Sequence, residues 1–379
     1  MDAGVVLQFC SAHSAEMRRD LERLVALESP SHDKAAVDRC GAALAGMLRA
    51  CGASVRLLPQ AGRGDHLRAE IGGDRRRMLL LGHFDTVWDV GQLSRMPLCE
   101  KDGRLFGPGI FDMKAGIVIA IMAARALRGL APAAMPTVVM LWTTDEEVGS
   151  ETSRAAIELE AQASDAVLVL EPSLPGGAVK TRRKGCGEFV LTARGVSAHA
   201  GIDPSQGASA VHELAFQIGQ LELLNDPAKG ISVNVGVIEG GTRANVVAEG
   251  ARAVVDVRVP SAADGRYVEE RIRALRARHP RVQLEITGGV ERPPLERSPG
   301  VARLFEQARL VAGELGQDLQ EGGTGGGSDG NFTAAMGVPT LDGLGPQGDG
   351  AHALHEHVLL QDLPWRAAFL ARLLVSLER

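Results

Sequence analysis

Seven side chains have types and positions that could do chemistry together: His83, Asp85, Asp112, Glu146, Glu147, Glu171 and His352. His83 and Asp85 close the stretch M-L-L-L-G-H-F-D-T-V-W-D, whose apolar run Met78 to Leu81 reads as a buried strand ending at Gly82. On an extended chain alternate residues point the same way, so His83 and Asp85 can face one site with Phe84 turned into the core. Such a pair can bind a metal or act as acid and base. Each of the others also has an ordinary explanation. Asp112 could cap the helix that follows it, and Glu146 and Glu147 could favour a helix N-terminus through its dipole. Glu171, before Pro172, could be a loop carboxylate, and His352 sits among His355 and His357 as a surface histidine would. Their joint position argues otherwise. Several acids gathered at one apolar sheet edge repel each other and are costly to bury without a counter-cation. Two imidazoles with hard carboxylates suit zinc, with cobalt or manganese as alternatives.

The elements that must position these residues follow from the hydrophobic pattern. Ala15 to Leu27 reads as an amphipathic helix, and Ser31 as the N-cap of a second helix running through Leu48. Val55 to Leu58 and Leu67 to Ile71 read as strands of a meander leading into the His83 strand. A helix over Lys114 to Leu127 follows Asp112. Thr137 to Trp142 is a buried strand ending in T-T-D-E-E-V-G-S, then come a helix over Glu151 to Ala161 and a strand over Ala166 to Leu170 ending at Glu171. This alternation predicts an α/β fold, a mostly parallel mixed sheet with helices on both faces. Ligands collect at the carboxyl edge of such sheets, where three strand ends present His83/Asp85, Glu146/Glu147 and Glu171.

The pattern changes near Lys184. Strands over Glu188 to Ala193, Ser232 to Ile238, Val246 to Val259 and Val282 to Ile286, with helices over Ala208 to Leu224 and Gly265 to Arg278, predict an inserted α+β domain. The expected division is 1–183 and 293–379 for the catalytic domain and 184–292 for the insert. Arg182, Arg183 and Lys184 read as a solvated turn, and Pro293-Pro294 as the return linker. Helices over Val301 to Leu315 and Leu363 to Leu377 complete the first domain, with the loop G-G-T-G-G-G-S-D-G and a strand near Val338 to Leu341 between them.

Composition bounds the function. The chain has 379 residues, enough for two domains, and a net charge of −6 without a basic stripe, so nucleic acid is not an expected partner. Its five cysteines are scattered outside C-x-x-C spacing, which argues against a disulfide framework or a thiolate zinc site. Neither a secretory signal nor a membrane-length apolar run is found, so a soluble cytoplasmic protein is expected.

The motifs G-H-F-D-T-V-W, G-P-G-I-F-D-M-K-A-G, T-T-D-E-E-V-G-S, L-E-P-S, S-A-H-A-G, G-G-T-R-A-N-V-V-A-E, D-V-R, G-G-G-S-D-G-N-F and H-A-L-H-E-H-V occur in order over nearly the whole chain. Together they closely resemble the di-zinc metallopeptidase family of glutamate carboxypeptidase, aminoacylase, acetylornithine deacetylase and succinyl-diaminopimelate desuccinylase, with the glutamate carboxypeptidase branch nearest. The resemblance implies two zinc ions per subunit bridged by Asp112, one completed by His83 and Glu171, the other by Glu147 and His352. His352 is assigned over His355 because the family's ligand histidine is followed four residues later by Glu, here Glu356. Glu146 would be the general base, Asp85 the carboxylate that orients His83, and the Asp112–Met113 bond cis. His199 would stabilise the oxyanion and come from the partner subunit, implying a homodimer through the insert, here a lid and dimerisation domain hinged near Lys184 and Pro293.

Substrate contacts are expected from Asn245, Arg258, Arg292, Gly326, Gly327 and Ser328, with a guanidinium taking a terminal carboxylate. A strand-edge salt bridge is the competing explanation for Arg258. The implied activity is hydrolysis of an N-acyl amino acid or short peptide to release a C-terminal amino acid such as glutamate. The alternatives are an N-acyl-amino-acid deacylase on the same machinery and a non-catalytic dimeric ligand-binding protein, which the intact Glu146 disfavours. A dinucleotide-binding oxidoreductase is discounted because G-G-T-G-G-G has the wrong spacing and does not follow the first strand.

Overall fold

The structure, a computed structural model, describes residues 1–73 and 76–377. The chain divides into two compact units: Met1–Arg182, Arg297–Gly323 and Ser328–Arg379 form the first, and Arg183–Glu296 with Thr324–Gly327 the second.

In the first unit a six-stranded sheet runs in the order Ser54–Leu58, His66–Ile71, Thr137–Thr143, Arg77–His83, Ala166–Val169, Thr340–Leu341 among the described residues. The last four strands are mutually parallel and the first two join antiparallel. Parallel strands are covered on both faces, which is why these sequences read as unbroken apolar runs. Alternate residues sort into two cores. Met78, Leu80, Met140 and Trp142 enter the core built with the helices Lys34–Ala50, Ala115–Leu130 and Leu363–Ser376, while Leu79, Leu81, Val139 and Leu141 meet Ile157 and Phe332 of the helices Arg154–Gln162 and Gly330–Ala335 on the other face.

Several local expectations are corrected. Thr137–Thr143 lies between His66–Ile71 and Arg77–His83, so the early strands do not form a meander into the His83 strand. Asp33, whose side chain accepts from Ala36 N at 3.0 Å, caps the helix Lys34–Ala50 instead of Ser31. Ser31 is buried and donates to Asp85 Oδ2 at 2.7 Å. A further helix, Ala3–Ala12, precedes the first one read from periodicity. It is apolar over much of its surface, so its amphipathic signal is weak. Arg183 does not lie in a solvated turn. It ends the strand Val179–Arg183, is buried, and donates from Nη1 to the carbonyls of Gly326 and Gly327 at 3.2 and 2.9 Å.

The second unit has a four-stranded antiparallel sheet in the order Ser232–Gly240, Gly250–Val259, Gly185–Arg194, Gln283–Arg292. The helices Ala210–Glu222 and Ala262–Arg273 pack against it. The long alternating segment begins as a strand at Gly250, not Val246.

Close approach of backbone explains one glycine of the D-M-K-A-G motif. A Cβ at Gly116 would lie 2.1 Å from the carbonyl oxygen of Leu170, the residue before Glu171. Helix and strand end can meet only without a side chain there. Gly116→Ala is expected to cost about 2–3 kcal/mol of stability, read as a lower urea midpoint at unchanged slope.

Candidate metal centre

His83, Asp112, Glu147, Glu171 and His352 meet at the carboxyl edge of the parallel strands. His83 is the last residue of its strand and is 1% exposed. Its ring packs between two partners of the cluster: Nε2 lies 3.1 Å from Asp112 Oδ1 and 3.3 Å from Glu171 Oε1. On the other side of Asp112, His352 Nε2 lies 3.4 Å from Oδ2 and 3.2 Å from Glu147 Oε2. Asp112 thus presents one carboxylate oxygen to each imidazole, and each imidazole is paired with a glutamate. The Asp112–Met113 peptide bond is cis. Asp112 does not cap the helix Ala115–Leu130, whose N-cap Lys114 carries no side-chain cap bond. His352 holds a left-handed backbone with φ of 61°, uncommon for a side-chain-bearing residue. His355 lies 4.0 Å from Asp349 at the surface and the His357 ring packs at a tilt against Phe106, whereas the His352 ring meets Asp112 and Glu147.

Burial and these short contacts pull the charges of the cluster in opposite directions. Burial opposes a charge on His83, but its bonds to Asp112, Asp85 and Glu171 outweigh this and hold the imidazole protonated well above its usual range. Bonds to Asp112 and Glu147 raise His352 to about 10. Burial also opposes ionisation of Asp112, yet its bonds to His352 and His83 hold it far below the carboxylate range. Glu147 is raised to about 7 by burial, which His352 only partly offsets. Imidazoles and acids thus favour opposite charges across these contacts, and binding of a dication to such donors is accompanied by proton release.

The donor set fits such a cation. Ligands of a tetrahedral ion with bonds of roughly 2.0–2.1 Å stand about 3.3 Å apart, and the four imidazole–carboxylate separations run from 3.1 to 3.4 Å. Donor atoms of His83, Asp112 and Glu147 all lie within 4.8 Å of one another. Glu147 Oε1 is buried and has no hydrogen-bond partner among the described residues, a position that otherwise carries a desolvation cost.

Comparison with known proteins now decides the family. Residues 79–376 match peptidase family M20/M25/M40. The chain belongs to this family. It is 29% identical over 383 residues to Carboxypeptidase G2 of Pseudomonas sp. (strain RS-16), covering 98% of this chain and 92% of that protein. It is 30% identical over 345 residues to succinyl-diaminopimelate desuccinylase of Xanthomonas oryzae pv. oryzae (strain MAFF 311018), covering 86% and 89%. Among solved structures it superposes on aminopeptidase PepT from Bacillus cereus ATCC 10987 with a TM-score of 0.80 at 21% identity, covering 96% and 98% of the two chains. An M20 family metallo-carboxypeptidase from Sulfolobus solfataricus gives 0.74 at 18% identity, covering 95% and 99%. This M20 chain is a hydrolase of a metal-dependent peptidase family.

The remaining M20 motif residues fall into three groups. Asp85 is fully buried; His83 Nδ1 makes its shorter contact with the Asp85 carbonyl at 3.1 Å, and the carboxylate Oδ1 stands at 3.4 Å. Asp85 Oδ2 accepts from Ser31 and from the peptide N–H of Glu147 at 3.4 Å, tying two strand ends together. Glu146 opens the short turn Glu146–Val148, half-buried beside Glu147.

In the second unit, His199 is exposed and accepts at Nδ1 from the N–H groups of Gly201 and Ile202, both at 3.1 Å. Those bonds place the proton on Nε2, leaving it a donor. Asn245 lies beside it, its carbonyl accepting from Ala200 N at 2.9 Å. Arg258 makes a salt bridge within its own strand, which is interior to the sheet: it is bidentate to Asp256 at 2.9 and 2.8 Å and also donates to Cys186. Strand register sets Arg258 and Arg292 on either side of Cys186, with Gly327 against both Arg292 and Cys186.

Ser328 belongs to the first unit and is fully buried. Its hydroxyl donates to Asp342 at 2.6 Å and its N–H to Asn331 at 3.0 Å, so it is not placed to offer the substrate donor expected of it.

Three supporting residues escaped the sequence reading. Asp329 accepts from Thr143 at 3.0 Å and from Ser150. Asp145 accepts from the N–H and hydroxyl of Thr152 at 2.6 and 2.7 Å. Buried His66, its pKa lowered by desolvation, meets Thr144 and Thr152 at 2.9 and 3.1 Å. All three brace the turn that carries Glu146 and Glu147. Asp145 and Asp329 stood inside quoted motifs, T-T-D-E-E and G-S-D-G, but nothing local distinguished them from ordinary loop acids.

Proposed function

We propose that this chain is a dinuclear metallohydrolase that cleaves an amide bond to release a C-terminal amino acid, glutamate being the first to test. The observation carrying this reading is the division of Asp112 between two imidazole–glutamate pairs, His83 with Glu171 and His352 with Glu147. These five side chains would hold two divalent cations, zinc by donor type with cobalt or manganese as alternatives. When bound, such ions supply an acidified water and polarise the scissile carbonyl. Glu146 then accepts a proton from the attacking water and returns it to the departing nitrogen. The Nε2–H of His199 is a suitable donor for the oxyanion. Following the family resemblance, we assign it to the neighbouring site of a homodimer formed through the second unit. Asp85, bonded to Ser31 and close to the His83 ring, fixes the orientation of that ring. Arg258, whose guanidinium has five N–H groups, keeps some beyond its bonds to Asp256 and Cys186; it and Asn245 are assigned to the substrate's carboxylate and carbonyl groups, with Arg292 and the backbone donors of Gly326 and Gly327 as further substrate contacts.

The similarity to a desuccinylase supports a second reading, an N-acyl-amino-acid deacylase with the same machinery. A substrate screen separates them. Metal-loaded protein is expected to release glutamate from N-benzoyl or folate-like glutamates faster than it hydrolyses N-acetyl or N-succinyl amino acids, measured as kcat/KM. The reverse preference establishes the deacylase, and hydrolysis of none of them removes the proposal.

A further inference from the structure

Glu356 is fully buried, yet nothing in the proposed chemistry uses it. Its carboxylate accepts four N–H groups from two other segments. Oε1 takes the peptide N–H of Phe111 at 2.9 Å and that of Asp112 at 3.1 Å, and Oε2 takes Gly109 N–H at 3.0 Å and Trp88 Nε1–H at 2.9 Å. Its own carbonyl accepts from Gly107 at 3.2 Å, and its N–H donates to Ala353, the residue after His352, at 3.0 Å. One carboxylate thus clamps the G-P-G-I-F-D turn that delivers Asp112, the loop after Asp85, and the turn that delivers His352.

Resting on the metal-centre reading, we propose that Glu356 is the positioning residue that sets the spacing of Asp112 against His352, and so the affinity of the cation held by Asp112, His352 and Glu147. Each carboxylate oxygen faces two N–H donors, so only a group with two acceptor oxygens satisfies all four. Glutamine has the right size and the wrong chemistry: its amide NH₂ must confront one of the two donor pairs, losing two bonds and adding a donor–donor clash. The carboxylate's negative charge, one shell behind Asp112, also favours a cation in front of it. The spacing H-x-x-x-E fits this: the five residues His352 to Glu356 make the turn in which the histidine faces the cluster while the glutamate reaches the Asp112 turn.

The test is a stepwise Co(II) titration of the full chain, followed by visible absorption, for wild type, Glu356→Gln and Trp88→Phe, with unfolding of each variant measured in chelator. Wild type is expected to bind two ions. Glu356→Gln is expected to bind the second ion about 10- to 100-fold more weakly, with an altered d–d spectrum. Trp88→Phe removes one of the four bonds without touching the carboxylate and is expected to weaken the same step about 2- to 10-fold. If Glu356→Gln is destabilised but binds both ions with wild-type affinity and spectrum, Glu356 only supports the fold and the proposal is overturned. If Glu356→Gln does not fold, Trp88→Phe decides by the same criterion. Failure of wild type to bind any ion would overturn the metal-centre reading itself, a result distinct from failure of the Glu356 assignment.

Discussion

Glu146→Gln should retain its full complement of metal and lose turnover by about 10²- to 10⁴-fold, the range ascribed to a positioned general base. The amide matches the carboxylate in size, so the turn Glu146–Val148 and its bracing by Asp145, Asp329 and His66 have no steric reason to move. The side chains assigned as donors are other residues, so metal content should stay level while kcat falls and KM changes little. Wild-type turnover in this variant would remove Glu146 as the base. Equal loss of metal and activity would instead make it a ligand. The same variant tests the dimer. In a mixed dimer of Glu146→Gln and His199→Ala subunits, a histidine acting across subunits leaves one of the two sites with both groups intact. Activity would then reappear on mixing. A histidine acting within its own subunit leaves both sites defective, and mixing restores nothing.

Asp112→Asn is expected to have the largest effect on metal binding. Its two oxygens face different imidazoles, His83 and His352. An asparagine keeps one acceptor and turns an NH₂ donor toward the other partner, so it cannot serve both halves of the site. The loss should exceed the roughly 10- to 100-fold cost of removing a partner outside the coordination sphere, and stoichiometry should fall to one ion or fewer. The clearest measurement is metal-linked stability. Ligand present at 100 times its dissociation constant stabilises a native state by about 2.7 kcal/mol, so wild type should melt higher with metal than with chelator. That difference should largely vanish in Asp112→Asn. An undiminished metal-induced rise in Tm would show that Asp112 does not join the two halves.

Much of this clustering could be read from residue order because His83, Glu147 and Glu171 end or closely follow strands with strong local signatures. An apolar run that ends in Gly-His-Phe-Asp declares both a buried strand and what it delivers, and the same holds for T-T-D-E-E and L-E-P-S. The parallel sheet was legible for the same reason, since strands covered on both faces are apolar throughout. Local pattern also overreached in places. Ser31 has the composition of an N-cap, but the buried Asp85 carboxylate offers its hydroxyl a stronger partner, and Asp33 takes the cap. Ser328 looked available in a glycine-rich loop, whereas Asp342 claims its hydroxyl inside the first unit.

By itself the sequence determined which residue types stand at the strand ends, and hence that His83 and several acids gather at one sheet edge. Tertiary structure decided what no local window contains: that Thr137–Thr143 enters the sheet between two earlier strands, that Arg183 is buried, and which oxygen of Asp112 each imidazole meets. It also decided the partners of Glu356, of which Phe111 and Asp112 lie 245 and 244 residues away along the chain. Periodicity reports how a segment divides between core and solvent. Pairing across such separations depends on which buried donors and acceptors remain to satisfy one another once the cores have closed.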